Sequence, residues 1–251
     1  MEWRDEGLVI GVRRHGEHSS IVEAMTRAHG RHLGLVRGGR SSRLNAALQP
    51  GNTLALVWRA RLDEHLGAFA IEPMAARAGR LMESALALAG IAYLGALARL
   101  LPERDPHQAV YEALTLIADR LDDEALAPAL VARFEAQILA ECGFRLDLAR
   151  CSATGASEGL VYVSPRSGRA VSAEAGAPWR DRLLPLPAFM REGARLEARP
   201  SAEEIADGFR MTGFFLARDL FSLRGEPLPD SRAAFLIAAM KGARQVVHDN
   251  N

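Results

Sequence analysis

The hydrophobic pattern of this chain changes its period near residue 72, and this change constrains the fold more than any other feature. Before Glu72-Pro73, short stretches of alternating apolar and polar residues are separated by turns that contain glycine. Alternation with a period of two is typical of β-strands. After this point the apolar residues recur at helical spacing. The sequence therefore predicts an α+β protein, with a β domain over residues 1–80 and a helical domain over residues 81–251.

The strands of the first part are arranged like those of a small barrel. Between the third and fourth strands, residues 41–49 predict a short helical turn that Pro50-Gly51 ends. Five strands with a helix between the third and the fourth are the plan of an OB fold. We therefore predict an OB-like β-barrel over residues 1–80. The predicted strands span residues 7–13, 21–26, 33–37, 53–62 and 66–71.

The second part predicts five helices and one insertion. Ser201, with Glu204 three residues later, predicts a capping box at the start of the fourth helix. Residues 150–178 interrupt the helices, because they are rich in Gly, Ser and Ala and contain one clear strand at 160–163. We therefore predict a hairpin inserted at about residues 147–178. The predicted helices lie at residues 81–101, 106–121, within 122–142, at 201–225 and at 230 to about 244.

Basic residues are concentrated in the N-terminal part, although the net charge of the chain is zero. Residues 1–80 hold 12 Arg and 8 acidic residues, a net of +4, while residues 81–251 hold 19 basic and 23 acidic residues, a net of −4. The stretch from residue 12 to residue 61 has nine Arg against Glu17 and Glu23. A basic half on a neutral chain indicates a polyanionic partner for that half.

The arginines of the predicted barrel lie at strand ends and turns, where OB domains meet nucleic-acid strands. Guanidinium groups fork onto phosphates and stack on bases, and a glycine pair lets the backbone approach a phosphate closely. We therefore predict a nucleic-acid-binding surface with no catalytic residue. The alternative is a solvated basic surface without a ligand. The predicted surface consists of Arg13, Arg14, Arg27, Arg31, Arg37, Gly38, Gly39, Arg40 and Arg43.

Five short motifs in this N-terminal part resemble the RecO family, and they occur in that family's order and spacing. The resemblance is dense over residues 1–80 and thinner in the helical part, where Gly143-Phe144, the hairpin after Cys151 and Ser231-Arg232 also fit. The motifs are Glu-Gly-Leu-Val-Ile at 6–10, Gly-Glu at 16–17, Thr-Arg-Ala-His-Gly at 26–30, Val-Arg-Gly-Gly-Arg at 36–40 and Ala-Ala-Leu-Gln-Pro-Gly at 46–51.

The resemblance implies a non-enzymatic DNA repair and recombination mediator. Members of the family bind single- and double-stranded DNA and anneal complementary strands. They also engage RecR and the single-stranded DNA-binding protein, and so help to load the RecA recombinase. These partners and activities are what the resemblance implies for this chain, and no cofactor is expected.

The chain departs from the family pattern in the hairpin. Many RecO-like proteins hold zinc there through two Cys-x-x-Cys pairs. Here Cys151 has no cysteine three residues later, and residues 169–176 contain none. A closed structural zinc site needs about four nitrogen or sulfur ligands, so one thiolate is not enough. We therefore predict a degenerate, metal-free hairpin held by Leu160, Val161, Val163 and Val171.

Three other motifs are weak. His15 with His18, and His29 with His32, form two His-x-x-His units, but nearby arginines oppose a divalent cation. Ser157 stands in a Gly-x-Ser-x-Gly pattern that lacks the preceding strand and following helix of a hydrolase elbow. No phosphate-binding Gly-x-x-x-x-Gly-Lys-Ser/Thr loop is present in the sequence.

Composition indicates a cytoplasmic protein with reduced thiols. Cys142 and Cys151 cannot form a disulfide framework, the first residues are too charged for a secretory signal, and the longest uncharged run is too short to span a bilayer.

Two other function classes stay open. An OB-fold RNA-binding module with a regulatory helical domain predicts a preference for structured RNA. A serine hydrolase, resting on Ser157 alone, predicts labelling by an active-serine probe.

Overall fold

The computed structural model describes residues 1–195 and 199–249, with the backbone alone for residues 242–249. Its contacts divide the chain into two compact units, Met1–Asp122 and the remainder from Asp123 onward. Unit 1 therefore contains the strands of the N-terminal part together with the first helices that follow them. The predicted boundary at residue 80 marks the change from strands to helices within this unit.

Five strands and a short helix build the barrel of unit 1. Strand β1 pairs antiparallel with both β2 and β4, β2 pairs with β3, and β4 pairs with β5. One parallel pair, Leu35 with Ala68, joins β3 to β5 and completes the closed ring. The OB-like α+β fold predicted from the sequence is confirmed. The elements are β1 (Glu2–His15), β2 (Ser19–Thr26), β3 (Arg31–Val36), α1 (Ser42–Ala47), β4 (Thr53–Arg59) and β5 (Ala68–Ala75).

Alternate residues of the strands fill the barrel, as the period of two predicts. On β4, Leu54, Leu56 and Trp58 are buried, whereas the intervening side chains are partly exposed. On β3, Gly34 leaves the space that the Phe69 ring occupies, because a Cβ there would lie 2.4 Å from Phe69 Cδ2. The interior of the barrel is therefore packed by apolar side chains.

Three helices complete unit 1, and two of them cover part of the outer face of β1 and β2. Because Gly95 has no side chain, its helix approaches β1 closely; a Cβ there would lie 2.9 Å from the carbonyl oxygen of Ile10. Leu8, Ile10 and Met25 are buried beneath these helices. Met25 faces away from the barrel interior, so the helices and not the barrel core bury it. The three helices are α2 (Ala78–Met82), α3 (Ala85–Ala98) and α4 (Gln108–Ala118).

Unit 2 combines helices with a small sheet in the order β7-β6-β8. The capping box predicted at Ser201 is present: the Ser201 hydroxyl accepts from the Glu204 amide, and the Glu204 carboxylate accepts from the Ser201 amide. The elements are α5 (Ala127–Glu141), β6 (Leu160–Val163), β7 (Ala170–Ser172), α6 (Ala173–Gly176), β8 (Leu184–Pro185), α7 (Ala202–Phe215) and α8 (Asp230–Asp249).

Three helices differ from their predicted boundaries. The predicted helix at 81–101 is two helices, because Ser84 leaves the helical conformation and its hydroxyl caps α3 by accepting from the Ala87 amide at 3.2 Å. The predicted helix at 201–225 is α-helical only to Phe215, and a π-helical turn, Leu216–Phe221, follows it. Helix α8 continues to Asp249, beyond the predicted end near residue 244.

Candidate nucleic-acid interface

The turn between β1 and β2 lies beside the loop between β3 and α1, at one end of the barrel. The Arg40 amide donates to the His18 carbonyl oxygen at 3.3 Å. The Arg40 guanidinium donates to the carbonyl oxygens of Glu17, at 2.6 Å, and Gly16, at 3.4 Å. Arg40 therefore ties together the two segments that carry most of the predicted site.

Five of the predicted arginines are exposed at this end, and we call them the basic rim. The side chains of four of them, all except Arg40, form no hydrogen bond or ion pair with any residue that the structure describes. Arg40 bonds to carbonyl oxygens, which carry no net charge, so its charge is not neutralised. Glu17, the acid of the turn, lies 3.8 Å from His18. The basic rim consists of Arg13, Arg14, Arg37, Arg40 and Arg43.

The register of the strands explains why the rim forms. Arg14 pairs with Ser20 and Ser20 with Val36, so the ends of β1 and β3 flank the start of β2. Successive side chains of a strand point to opposite faces, so Arg13, next to Arg14 on β1, belongs to the outer face of the barrel. A rigid ladder thus holds guanidinium groups at one end of the barrel, an arrangement suited to a polyanion.

The two predicted glycines have different roles in this loop. Gly38 is exposed and has φ of 68°, a left-handed conformation that makes the turn after β3 and that glycine adopts without strain. Gly39 is buried against β2, and a Cβ there would lie 3.0 Å from the Cβ of Ser20. Close packing of the loop onto the barrel therefore explains Gly39, whereas the Gly38 backbone faces solvent.

Arg27 and Arg31, also part of the predicted site, lie at the opposite end of β2. Arg27 pairs with Glu6 at 2.5 Å, and its guanidinium lies 5.3 Å from the centroid of the Tyr111 ring. Arg31 pairs with Glu23 at 2.8 Å, and only 12% of its side chain is exposed. The structure does not bring these two arginines together with the rim, and acidic neighbours neutralise them.

Aromatic side chains fill this opposite end of the barrel. Trp3 stacks on His29 with ring centroids 4.1 Å apart and lies 5.6 Å from Trp58 on its other side. Asp5 accepts a hydrogen bond from Nδ1 of His29 at 2.8 Å. Burial lowers the pKa of His32, which makes edge contacts to Trp58 at 5.0 Å. This histidine pair thus belongs to the packing of the barrel.

Sequence reasoning missed Arg99, which follows α3 and reaches the outer face of the barrel. It donates to the Glu23 carboxylate at 2.8 Å and to the Ile10 carbonyl oxygen at 3.2 Å. Gly11 makes room for it, since a Cβ there would lie 2.4 Å from Arg99 Nη2. A groove of about 170 Å³ separates Arg99 from Arg13 of the rim. The helical spacing of α3 gave no signal for this contact, which depends on how α3 packs on β1.

The hairpin of unit 2 is built without a metal cluster in the described residues. Cys151 is buried, and its sulfur accepts from the Ser172 amide at 3.3 Å. Burial raises the pKa of the Cys151 thiol, but hydrogen bonds from Thr154, Ser172 and Ala153 outweigh it and lower this pKa to about 6. Leu160, Val163 and Val171 are buried, as the predicted packing of the hairpin requires, and Val161 is half-buried.

The remaining motifs do not assemble into a site. The two His-x-x-His units lie at opposite ends of β2, too far apart in the barrel to share one ion. Ser157 is exposed in a bend that precedes β6, without the strand before it and the helix after it that a nucleophile elbow needs. Within the described residues, no helix is long and apolar enough to cross a membrane.

The closed barrel and the helical unit define a class: proteins with an OB-like barrel followed by a helical domain. The family model for the N-terminal part of recombination protein O matches residues 1–75, and the model for its C-terminal part matches residues 82–225. The chain therefore belongs to the RecO family of DNA repair proteins, as its motifs predicted.

Similar proteins cover nearly the whole chain. A DNA repair protein RecO from Methylocella silvestris is 61% identical over 236 residues, which are 94% of this chain and 95% of the relative. The RecO protein from Mesorhizobium japonicum is 58% identical over 241 residues, 96% of this chain and 94% of the relative. That of Chelativorans sp. is 57% identical over 241 residues, 96% of both chains.

Proposed function

We propose that this protein is a non-catalytic mediator of DNA repair and recombination that binds single- and double-stranded DNA through its basic rim and anneals complementary strands. The observation that carries the proposal is the rim itself: exposed arginines on a rigid barrel end, four of them without a side-chain partner among the described residues. Neutralising the phosphates of two strands lowers their mutual repulsion, so binding and annealing follow from the same charges.

The proposed partners come from family membership. They are RecR and the single-stranded DNA-binding protein, and through them RecA, in the cytoplasm. The described geometry is compatible with binding without chemistry, because Ser157 lacks the context of a nucleophile. An annealing assay with and without the single-stranded DNA-binding protein tests this part. A preference for structured RNA with no annealing of DNA would favour the RNA-binding alternative.

Two arginines of the rim give the sharpest test of the DNA site. Arg37 and Arg43 are exposed, and the side chain of neither makes a hydrogen bond or ion pair to the part of the chain that the structure describes. We expect Arg37→Ala with Arg43→Ala to weaken binding of labelled single-stranded DNA and to flatten the log–log salt dependence by roughly 1.4, about 0.7 for each lost phosphate contact. Fluorescence anisotropy at several salt concentrations measures both.

The matched control removes the same charge from unit 1 at positions away from the rim. Arg4 is on the part of β1 that pairs with β4, and Arg120 follows α4 and lies near Arg27; both are exposed. Arg4→Ala with Arg120→Ala should leave the salt dependence unchanged. If both double variants bind like the parent, the rim is only a solvated surface. If both weaken binding equally, overall charge and not the rim carries the interaction.

A further inference from the structure

Unit 2 exposes one tryptophan that the proposed function does not yet use. Of the three tryptophans in the chain, Trp58 is fully buried and Trp3 is half-buried, whereas Trp179 is 57% exposed. Exposing so large an apolar ring costs free energy that burial would recover. An exposed tryptophan is therefore a candidate contact for a ligand.

The segment that carries Trp179 is short and well supported. It is a 3₁₀-helical turn, Ala177–Arg182, that lies between β7 with α6 on one side and β8 on the other. At its start, Gly176 packs so closely on Tyr162 that a Cβ would lie 2.5 Å from the tyrosine ring. Strand β8 pairs directly with the same Tyr162. The small sheet thus holds both ends of the turn that carries the ring.

The turn that carries the ring also carries two arginines, and one of them lies beside the ring. The Arg182 guanidinium lies 5.9 Å from the centroid of the Trp179 ring, within the range of a cation–π contact. Arg182 is exposed, and it makes no hydrogen bond or ion pair in the described part of the chain. Arg180 lies 3.7 Å from Asp181, but both side chains are largely exposed, so this pair is weak. One free guanidinium, that of Arg182, therefore lies beside the aromatic surface.

We propose that Trp179 and Arg182 form a base-stacking contact for single-stranded DNA. An aromatic ring next to a free guanidinium is the pair that single strands use, because a base stacks on the ring while the phosphate meets the cation. A duplex keeps its bases stacked inside, so a surface tryptophan distinguishes single from double strands. The proposal rests on the proposed DNA binding and extends it to unit 2, to the turn that follows the hairpin.

The test uses the full-length protein and the single variants Trp179→Ala and Trp179→Phe. We expect Trp179→Ala to weaken binding of a single-stranded oligonucleotide by at least about fivefold, the lower end of the range for base–aromatic stacking. The salt dependence should stay unchanged, because an indole neutralises no phosphate. Trp179→Phe keeps an aromatic face and should retain most of the affinity. Leu223→Ala, at another exposed apolar residue of unit 2, should bind like the parent.

Two further measurements separate stacking from other causes. An oligonucleotide with abasic sites should bind the parent and Trp179→Ala equally, because no base is left to stack. Single-stranded DNA should quench tryptophan fluorescence in the parent but much less in Trp179→Phe, whose remaining tryptophans lie in the barrel. This second comparison holds even if Trp179→Ala fails to fold.

The outcomes also separate this contact from the basic rim. If the parent binds DNA with a salt dependence that the rim sets, and Trp179→Ala binds as tightly as the parent, the stacking contact is overturned and the rim stands. If Trp179→Ala loses only the binding of a protein partner, the ring serves that partner and the proposal is again wrong. If the parent does not bind DNA, the proposed function and the stacking contact both fail.

Discussion

At the scale of single residues, the most demanding feature is a charged pair in the core of unit 2. Glu135 on α5 is fully buried, and its carboxylate accepts from Arg232 of α8 at 2.8 Å and from the Thr212 hydroxyl. Arg232 also donates to the Phe209 carbonyl oxygen at 2.7 Å. Gly213 leaves the space for the guanidinium, which a Cβ would approach to 2.6 Å. The network therefore joins three helices of unit 2 through fully used polar groups.

Breaking this pair should cost much more stability than removing an exposed arginine. We expect Arg232→Ala to lower the free energy of unfolding by about 3–5 kcal/mol, because it leaves the Glu135 carboxylate buried without its cation. Urea titration followed by circular dichroism measures the loss. Arg210→Ala, which removes an exposed pair with Asp207 at 3.0 Å, is the control and should cost under about 1 kcal/mol.

A double variant shows whether uncompensated charge is the cause. With Glu135→Leu added to Arg232→Met, no charge is left in the core, and the double variant should be more stable than Arg232→Met alone. Equal or greater instability of the double variant would mean that shape and packing, not the unpaired carboxylate, set the cost.

His32 should make the barrel sensitive to acid. Its pKa is lowered by burial among Trp58 and Phe69, so the folded state resists protonation. In the unfolded chain a histidine takes up its proton near pH 6.5. The unfolded state thus binds more protons as the pH falls below about 6.5, and stability is lost there and kept above it.

The variant His32→Phe removes this titration while keeping an aromatic ring in the cluster. We expect the difference in urea midpoint between pH 7.5 and pH 5 to be smaller in His32→Phe than in the parent. His18→Ala, at an exposed position in the β1–β2 turn, should leave this difference as it is in the parent. A pH difference that His32→Phe does not reduce would assign the acid sensitivity to other groups.

At the scale of elements, the hairpin of unit 2 is held by hydrogen bonds and apolar contacts among its own residues. The Cys151 amide donates to the Ala156 carbonyl oxygen at 2.7 Å, and the Ser152 amide to that of Ala170 at 2.8 Å. These bonds, with the apolar side chains of β6 and β7, fix the loop. We expect the purified protein to carry no stoichiometric zinc and a chelator to leave its Tm unchanged. Elemental analysis that finds one zinc per chain, lost in Cys151→Ser, would contradict this.

The elements that could be predicted from the sequence are those whose buried and exposed faces follow from the local pattern of apolar and polar residues. Residues 53–59 alternate, so their strand and its buried face were visible, and glycine-marked turns separated it from its neighbours. The first residues of β1 were missed, because Glu2, Arg4 and Asp5 are charged and their strand is defined only by pairing with β4. The break at Ser84 was missed because apolar residues lie on both sides of it, at residues 81–82 and from residue 85 onward.

The same limit applies to the candidate site. Charge density and turn positions identified the arginines of the rim, since those properties are local. Whether an arginine is free or neutralised depends on partners that are distant in sequence. Arg27 meets Glu6, and Glu23 meets both Arg31 and Arg99, through the register of β1–β3 and the packing of α3. The spacing of residues along the sequence does not predict such ion pairs.

At the scale of the whole molecule, the division into two units changes what counts as the barrel domain. Helices α3 and α4 belong to unit 1 and cover Leu8, Ile10 and Met25. Segments after residue 80 also add polar contacts to the barrel: Arg104 donates to the carbonyl oxygens of Asp63 and His65 in the β4–β5 loop. The barrel therefore depends on residues that a boundary at 80 would remove.

Fragments of the chain test this dependence directly. We expect residues 1–122 to fold alone with a cooperative urea transition, because the helices keep the outer face of β1 and β2 buried. Residues 1–80 should be unfolded or prone to aggregation, because Leu8, Ile10 and Met25 would be exposed; burying a side chain of this kind contributes about 1.5–3 kcal/mol, a large share of the stability of a small domain. Circular dichroism and urea titration of both fragments measure this.

The control is residues 1–122 with Gly95→Leu, in which the side chain would collide with the Ile10 carbonyl and separate α3 from β1; it should resemble residues 1–80. A stable, cooperative fragment of residues 1–80 would instead make the barrel an independent domain and α3 and α4 additions to its surface.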